Sequence, residues 1–421
     1  MGQHGLQKGE AASARNKKII GYLAVFLSVC LAFFAGFVVR GDAPLLTDLG
    51  FTSLTVEAEK NPGLTVTGNT YDSLSARVAE VEGVVAQDSL DSYDLDDATL
   101  QVLDAFSTST KDPYLRYFDD ARYAAYLEDT ASKYAGIGVL FGEYKGQSYA
   151  VDVFEGSVAD NAGVKKGDYV VAIDGMRQGW SLSETVKALS RDDGSTAIVT
   201  WRRPSALEAE GGREFTTTLV CSPYSETNVT TELSNKVGLI KVRQLTQDSD
   251  VLVREAVQSL QSQGAQSLVL DLRDNPGGYL TQAVNIASLF VKSGVIVQIE
   301  TVDGTTTKKV TGDVATTLPL VVMINHNTAA ASEVLAAGLQ DNQRATLIGE
   351  TTLGKGAVQV VRQLSFGGAL RYTAARYTSP LGHTINEVGI TPAIAASQSS
   401  DKTNDSQKMV AIETAQSLIT G

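Results

Sequence analysis

Residues 268–291, LVLDLRDNPGGYLTQAVNIASLFV, decide how the chain is read. Leu268–Leu272 is a short apolar run of strand length. Arg273-Asp274-Asn275-Pro276-Gly277-Gly278 breaks it, and from Leu280 to Val291 the apolar residues recur at helical spacing. The same alternation extends to both sides. Leu239–Val242 precedes a predicted helix over 251–263, and LPLVVMIN (318–325) precedes one over about 332–339. Strands that alternate with helices imply βαβ crossovers and a largely buried parallel sheet.

Upstream the pattern changes. Between residues 135 and 220 short strands with glycine punctuation (GIGVLF, SYAVDVF, DYVVAIDG, STAIVTW, REFTTTLV) surround one predicted helix, Leu182–Leu189. Residues 71–133 read as helical. Val78, Val81, Val84 and Val85 recur at three and four, and Leu100, Leu103 and Phe106 follow Asp96 and Asp97 as a capped start, before Asp112-Pro113 breaks the run. The last 25 residues are polar, with a weak helix from Lys408, and no repeat of solenoid period appears.

Composition narrows the function. With 35 basic and 48 acidic residues the 421-residue chain carries a net charge of −13, which argues against nucleic acid as its main partner. Two cysteines, Cys30 and Cys221, allow neither a disulfide scaffold nor a thiolate zinc site. Of three histidines, His4, His326 and His383, one lies at the extreme N-terminus, so metal-dependent hydrolysis is not expected and neither a metal nor another cofactor is called for. Ile19–Val39 is a 21-residue run without a charge, which at about 1.5 Å per residue crosses the hydrocarbon layer once. Arg15, Lys17 and Lys18 precede it, so residues 1–18 are expected in the cytoplasm and everything after Arg40 outside. The rival is a cleaved signal peptide, whose apolar core is usually about 7–15 residues; the longer run favours a retained anchor.

A second segment carries chemistry. It runs from Asn325-His326-Asn327-Thr328-Ala329-Ala330-Ala331-Ser332-Glu333, through Asp341 and Arg344, to Gly354-Lys355-Gly356 and Gln359. Small residues that open a helix let substrate approach the backbone, and a lysine between glycines suits a site where Cβ bulk is unwelcome. Such a lysine acts as a base only when neutral, and Gln359 is placed to hold it by a hydrogen bond. The plain alternative is a surface Gly-Lys-Gly loop.

Taken with Tyr134-Ala-Gly-Ile-Gly-Val, Lys111-Asp-Pro-Tyr, Leu270-Asp-Leu-Arg-Asp-Asn-Pro-Gly-Gly, Asn327-Thr-Ala-Ala-Ala-Ser-Glu and Gly354-Lys-Gly-Ala-Val-Gln, residues 71–395 resemble the carboxyl-terminal processing (tail-specific) serine peptidases that carry a PDZ domain, in the membrane-anchored bacterial form. The resemblance implies an α/β fold: a crotonase/ClpP-like peptidase core with an inserted β-rich PDZ domain and an N-terminal helical segment. The expected organisation is a cytoplasmic tail (1–18), a transmembrane anchor (19–39), a linker (40–70), the helical segment (71–133), the PDZ domain (134–222), the peptidase core (223–395) and a polar C-terminal tail (396–421). It further implies a serine nucleophile, Lys355 as base, Gln359 orienting it, and an oxyanion hole from Gly277 or Gly278 with the amide of Ala331. Other members of the fold handle acyl-coenzyme A, a reading that the anchor and the PDZ-like insert argue against.

One departure outweighs the matches. Where the family pattern places the reacting serine this chain has Ala330, and alanine has no Oγ with which to form an acyl-enzyme. Thr328 and Ser332, two residues away on either side, would displace the attacking oxygen by several ångströms and are not expected to substitute. The expectation is a protein that binds substrate without cleaving it, through a Ser→Ala change in an otherwise working site. The alternative is a retired peptidase acting as a peptide-binding adaptor. Asp341 and Arg344 are expected to pair beside the site, and Glu333 to cap its helix. Gly136, Ile137, Gly138 and Val139 resemble the loop with which PDZ domains hold a terminal carboxylate, by consecutive backbone N–H groups beside an open strand edge. Expected partners are proteins or peptides with apolar C-termini, with Val139, Phe141 and Val186 lining the groove, and the resemblance leaves room for a homo-oligomer.

Overall fold

The computed structural model describes residues 73–127, 136–222, 224, 226–398 and 405–420. The expected cytoplasmic tail, anchor and linker (1–18, 19–39 and 40–70) lie outside the described residues. Among the described residues no helix is long and apolar enough to cross a membrane.

The described residues divide into two units between Tyr93 and Asp94. In the first, helix α1 (Leu74–Asp88) is capped by Ser73, whose hydroxyl accepts the Ala76 N–H, and none of its residues is buried. The second unit opens with α2 (Leu95–Ser109). Its cap is Asp94, whose carboxylate accepts the Asp97 N–H at 2.9 Å. Asp96 and Asp97, the expected caps, stand instead in the first turn, where negative charge meets the positive end of the helix dipole. Strand β1 (Arg116–Phe118) and helix α3 (Asp120–Leu127) follow.

The PDZ-like region contains β2 (Val139–Tyr144), β3 (Gln147–Val153), the short α4 (Val158–Asn161), β4 (Tyr169–Ile173), β5 (Met176–Arg177), α5 (Leu182–Leu189), β6 (Thr196–Arg203) and β7 (Arg213–Val220). Its strands run in the order β2-β3-β4-β6-β7, which leaves β2 at an edge. Helix α5 starts at a capping box in which the Ser181 hydroxyl accepts from Glu184 N–H and the Glu184 carboxylate accepts from Ser181 N–H.

The core follows: β8 (Val229–Ser234), β9 (Val237–Val242), α6 (Ser249–Ser262), β10 (Ser267–Asp271), α7 (Leu280–Ser288), β11 (Val295–Thr301), β12 (Gly304–Lys309), β13 (Leu320–Ile324), α8 (Ala331–Asp341), β14 (Ala345–Gly349), β15 (Ala357–Gln363), β16 (Ala369–Thr378), β17 (Ile394–Ala395) and α9 (Ser406–Thr420). One sheet runs β17-β14-β13-β10-β9-β8, parallel throughout except for β8. All of β10 and β13 is buried: β13 (LVVMI) is apolar throughout, and β10 (SLVLD) is apolar between Ser267 and Asp271. Leu268, Leu270 and Leu272 face the cluster made with α6, α7 and α8, whereas Val269 faces Ala411 and Ala415 of α9. The C-terminal segment, expected as a polar tail with a weak helix, thus ends in a helix that covers the second face of the sheet.

The second sheet of the core, β1-β16-β11-β12 with β15 paired to β16, draws on strands the sequence analysis does not predict. Its strand β1 belongs to the expected helical segment, so the chain enters the core before it forms the PDZ-like domain. Between β1 and β11 on the edge of β16, Asp112 accepts the Thr373 N–H at 2.7 Å, its hydroxyl at 2.9 Å and the Tyr114 N–H at 3.0 Å. This is the structural reason for Asp112-Pro113-Tyr114.

Candidate active site

The parallel register places the carboxyl ends of β10, β13 and β14 side by side, the usual location of binding sites in open α/β sheets. The three expected motifs occupy the loops that leave those ends.

After β13 the chain turns on hydrogen bonds from the Asn325 N–H to the Thr328 hydroxyl (3.0 Å) and from that hydroxyl to Leu272 O (2.9 Å). Ala330 then adopts φ 53° and ψ −120° immediately before α8, a conformation that non-glycine residues hold only where the surroundings enforce it. The enforcing bonds are Ala329 N–H to Asn275 O (3.0 Å) and Ala330 N–H to Glu333 Oε2 (2.8 Å). A methyl group built on Gly277 would lie 3.0 Å from the Ala330 Cβ and 3.0 Å from the Ala331 nitrogen, so the glycine turn faces residue 330 directly.

In that turn Gly277 and Gly278 take φ values of 98° and 141°. The Gly277 N–H is committed to Asn275 Oδ1 at 2.9 Å. The N–H groups of Gly278 and Ala331 have no acceptor among the described residues. Of the two glycines named from sequence, Gly278 therefore holds the free donor, and Gly277 gives the close approach.

Lys355 lies between Gly354 and Gly356, as the loop after β14 requires. A Cβ on Gly354 would meet the Val388 and Gly389 nitrogens at 3.0 Å, and one on Gly356 the Asn386 nitrogen at 2.4 Å. The bulk these glycines avoid is the chain's own 386–389 backbone. The Lys355 ammonium lies 3.4 Å from Glu143 Oε2, on β2 of the PDZ-like domain, and above the Tyr114 ring. It makes no hydrogen bond with Gln359, whose Nε2 is buried without a partner, so the expected lysine–glutamine contact is not made in this arrangement. Glu143 also pairs with Arg371. Burial opposes ionisation of Glu143, but Arg371 and then Lys355 overcome it and hold the carboxyl down at about 2.

Glu333 does more than cap a helix. Fully buried, it accepts the Ala330 N–H and the Lys355 N–H at Oε2 (both 2.8 Å), and the Gly354 N–H (2.7 Å) and the Thr352 hydroxyl at Oε1. One carboxylate thereby ties the segment of residue 330 to that of Lys355. Burial pushes its pKa up to about 7, against the pull of these four donors. The sequence signal was present as Glu three residues after Ala330; its long-range partners were not.

The neighbours are committed elsewhere. Ser332 and Thr328 are both fully buried, with hydroxyls donated to Asn275 Oδ1 (2.7 Å) and Leu272 O (2.9 Å). His326 contacts Glu208 and His383 is exposed. Asp341 and Arg344 do not pair as expected. Asp341 accepts from Ser379 and Leu381, while Arg344 donates to Phe290 O and Leu318 O. No cluster of metal-ligating residues occurs among the described residues.

In the PDZ-like domain, Gly136–Gly138 turn into β2, with Gly138 at φ 75° where a Cβ would collide with Ser157. The Ile137 and Gly138 N–H groups have no acceptor among the described residues, the arrangement of an anion-binding nest. Val139, Phe141 and Val186, expected to line the groove, are packed into the domain core. The domain reaches the core site a second time through Lys166, whose ammonium bridges Asp152 (3.0 Å) and Asp274 (2.9 Å).

The sequence pattern of peptidase family S41 matches residues 236–396 and that of the PDZ domain residues 149–203. The chain is 34% identical over 289 residues to a carboxyl-terminal-processing protease of Picosynechococcus, an alignment that covers 67% of this chain and 69% of that protein. The chain belongs to peptidase family S41. To the carboxy-terminal processing protease CtpA of Bacillus subtilis it is 31% identical over 291 residues, 68% of this chain and 61% of that one. Among solved structures, the photosystem II D1 C-terminal processing protease superposes with a TM-score of 0.62 at 27% identity, over 76% of this chain and 86% of that one. This S41 chain is thus a serine-type peptidase by family, with an α/β peptidase core, a PDZ domain and an N-terminal helical segment.

Proposed function

We propose that this S41 chain is built as a membrane-anchored C-terminal-processing endopeptidase, held outside the cytoplasm by residues 19–39, and that Ala330 occupies its nucleophile position. As it stands it captures the apolar C-terminal tail of a protein on the PDZ domain and does not cleave it. The observation that carries this reading is the setting of Ala330. A backbone strained at φ 53° brings its Cβ against the glycine turn at Gly277, and the N–H groups of Gly278 and Ala331, next in sequence to Gly277 and Ala330, have no acceptor among the described residues. Such strain is expected where an attacking side chain must stand clear of its own helix.

With serine at 330 the reaction follows from the groups in place. Lys355, released from Glu143 and neutral, takes the hydroxyl proton, and the oxygen adds to the scissile carbonyl. The Gly278 and Ala331 N–H groups receive the oxyanion, which water alone would stabilise far less. The C–N bond breaks as Lys355 returns the proton to the leaving amine, and water then hydrolyses the ester by the same route. In the arrangement seen, Glu143 of the PDZ-like domain engages the Lys355 ammonium at 3.4 Å, so this contact must open before the lysine can serve as base.

The test is a paired digestion. Residues 41–421 as they stand, and with Ala330→Ser, are incubated with an unfolded protein that ends in an apolar tail. Cleavage by the serine form only is expected. Cleavage by neither, with tail binding retained, favours the adaptor; cleavage by the unaltered chain overturns the assignment of Ala330.

A further inference from the structure

We infer that the hydrogen bond between Asn275 and Ser332 is a positioning device that sets the span between the two oxyanion donors, the N–H groups of Gly278 and Ala331. The inference rests on the reading of those donors given above and assigns a task to two residues that take no part in the chemistry. Asn275 is fully buried and joins three segments. Its Nδ2 donates to Val242 O at the end of β9 (2.9 Å), and its main-chain oxygen accepts the Ala329 N–H (3.0 Å). Its single Oδ1 accepts both the Gly277 N–H (2.9 Å) and the Ser332 hydroxyl (2.7 Å).

That oxygen holds the residue just before one donor and the residue just after the other. Asp274 and Thr328 tie the turn after β10 to the loop before α8, but among the described residues Ser332 alone ties it by a side chain to the first turn of α8 itself. A serine in a helix usually returns its hydroxyl to a carbonyl of its own helix; Ser332, fully buried among Ala, Val and Leu, reaches outside it instead. Because both partners are dry, water cannot replace the bond when it is removed; Asn275 Oδ1 then keeps only the Gly277 N–H, and the turn loses its tie to α8. Gly277 makes such movement consequential, since the turn already lies against the Ala330 Cβ with no room to spare.

The test combines structure with rate. Ser332→Ala is prepared in the chain as it stands and in the Ala330→Ser form. A crystal structure of the first is expected to show the 275–278 turn displaced and the Gly278-to-Ala331 nitrogen separation altered. In the serine form kcat is expected to fall about 10- to 100-fold, the scale on which small misplacements act. KM, tail-peptide binding and cooperative melting stay unchanged, and affinity for a peptide boronic acid falls in parallel with kcat. An unmoved turn overturns the inference whatever the activity, and so does a moved turn with undiminished kcat. Should Ala330→Ser itself fail to cleave, the adaptor reading is favoured, while the position of the turn still decides this one. If Ser332→Ala does not fold, Ser332→Cys, which exchanges a strong donor for a weak one, carries the same measurements.

Discussion

At residue 330 the backbone holds φ 53° and ψ −120°, where any Cβ is costly and glycine is not. Ala330→Gly is therefore expected to stabilise the chain by about 1 kcal/mol, the relief of strain exceeding the entropy that glycine adds to the unfolded state; an unchanged or lower denaturant midpoint would show the site to be unstrained. Three residues on, Glu333 has a folded-state pKa raised from 4.5 to about 7. Stability contributed by such a group is fully present below pH 4.5 and is lost as pH rises through about 7. Relative to Glu333→Gln, the unaltered chain should lose stability over that window and nowhere else. Thermal melts of both forms from pH 4 to 8 measure it, and parallel curves would rule the effect out. In the serine form, Glu333→Gln replaces an acceptor with a donor facing two of four N–H and O–H groups, so kcat is expected to fall at least tenfold, as for other losses of alignment.

On the scale of elements, β2 lies at an edge of its sheet and also delivers Glu143 to Lys355 and Arg371. The Glu143 carboxyl is lowered to about 2, so its contribution to stability is present above pH 4.5 and fades only as pH falls toward 2. Glu143→Gln removes the carboxylate that pairs with Arg371, itself 4% exposed, and with Lys355. A loss of about 3 kcal/mol is expected from a broken buried pair, measurable as a lower denaturant midpoint at unchanged m. In the serine form the same change should raise the cleavage rate of a short peptide that lacks a PDZ-binding tail, because Lys355 no longer faces a carboxylate. A rate that falls in proportion to the folded fraction would show that Glu143 holds the domains together and does not restrain the base.

For the whole molecule the C-terminal helix is decisive. Arg273, at the start of the glycine turn, is held by Asp271 and by Asp405 at the foot of α9. Helix α9 covers Val237, Val269, Val321, Met323 and Ile348. Exposing several such side chains at about 1.5–3 kcal/mol each exceeds the net stability of most domains. Deletion of residues 405–421 is expected to abolish cooperative melting by circular dichroism; a truncated chain that still melts cooperatively would show α9 to be dispensable.

The division between what sequence determined and what needed tertiary structure follows the range of the interactions. Runs such as LVLDL and LPLVVMIN declare buried parallel strands because burial on both faces leaves only apolar residues, and Leu182–Leu189 declares its helix by spacing and by Ser181 with Glu184. The order of motifs, the glycine turn, Ala330 and Lys355 were legible for the same reason: each is set by neighbours in the chain. Legible only in the fold were the four partners of Glu333, the choice of Gly278 over Gly277 as donor, the contact of Lys355 with Glu143 in place of Gln359, and α9 as a sheet cover. Those depend on which strand ends lie side by side and on which domain packs against them, and no local pattern of residues encodes partners that are up to 212 positions apart.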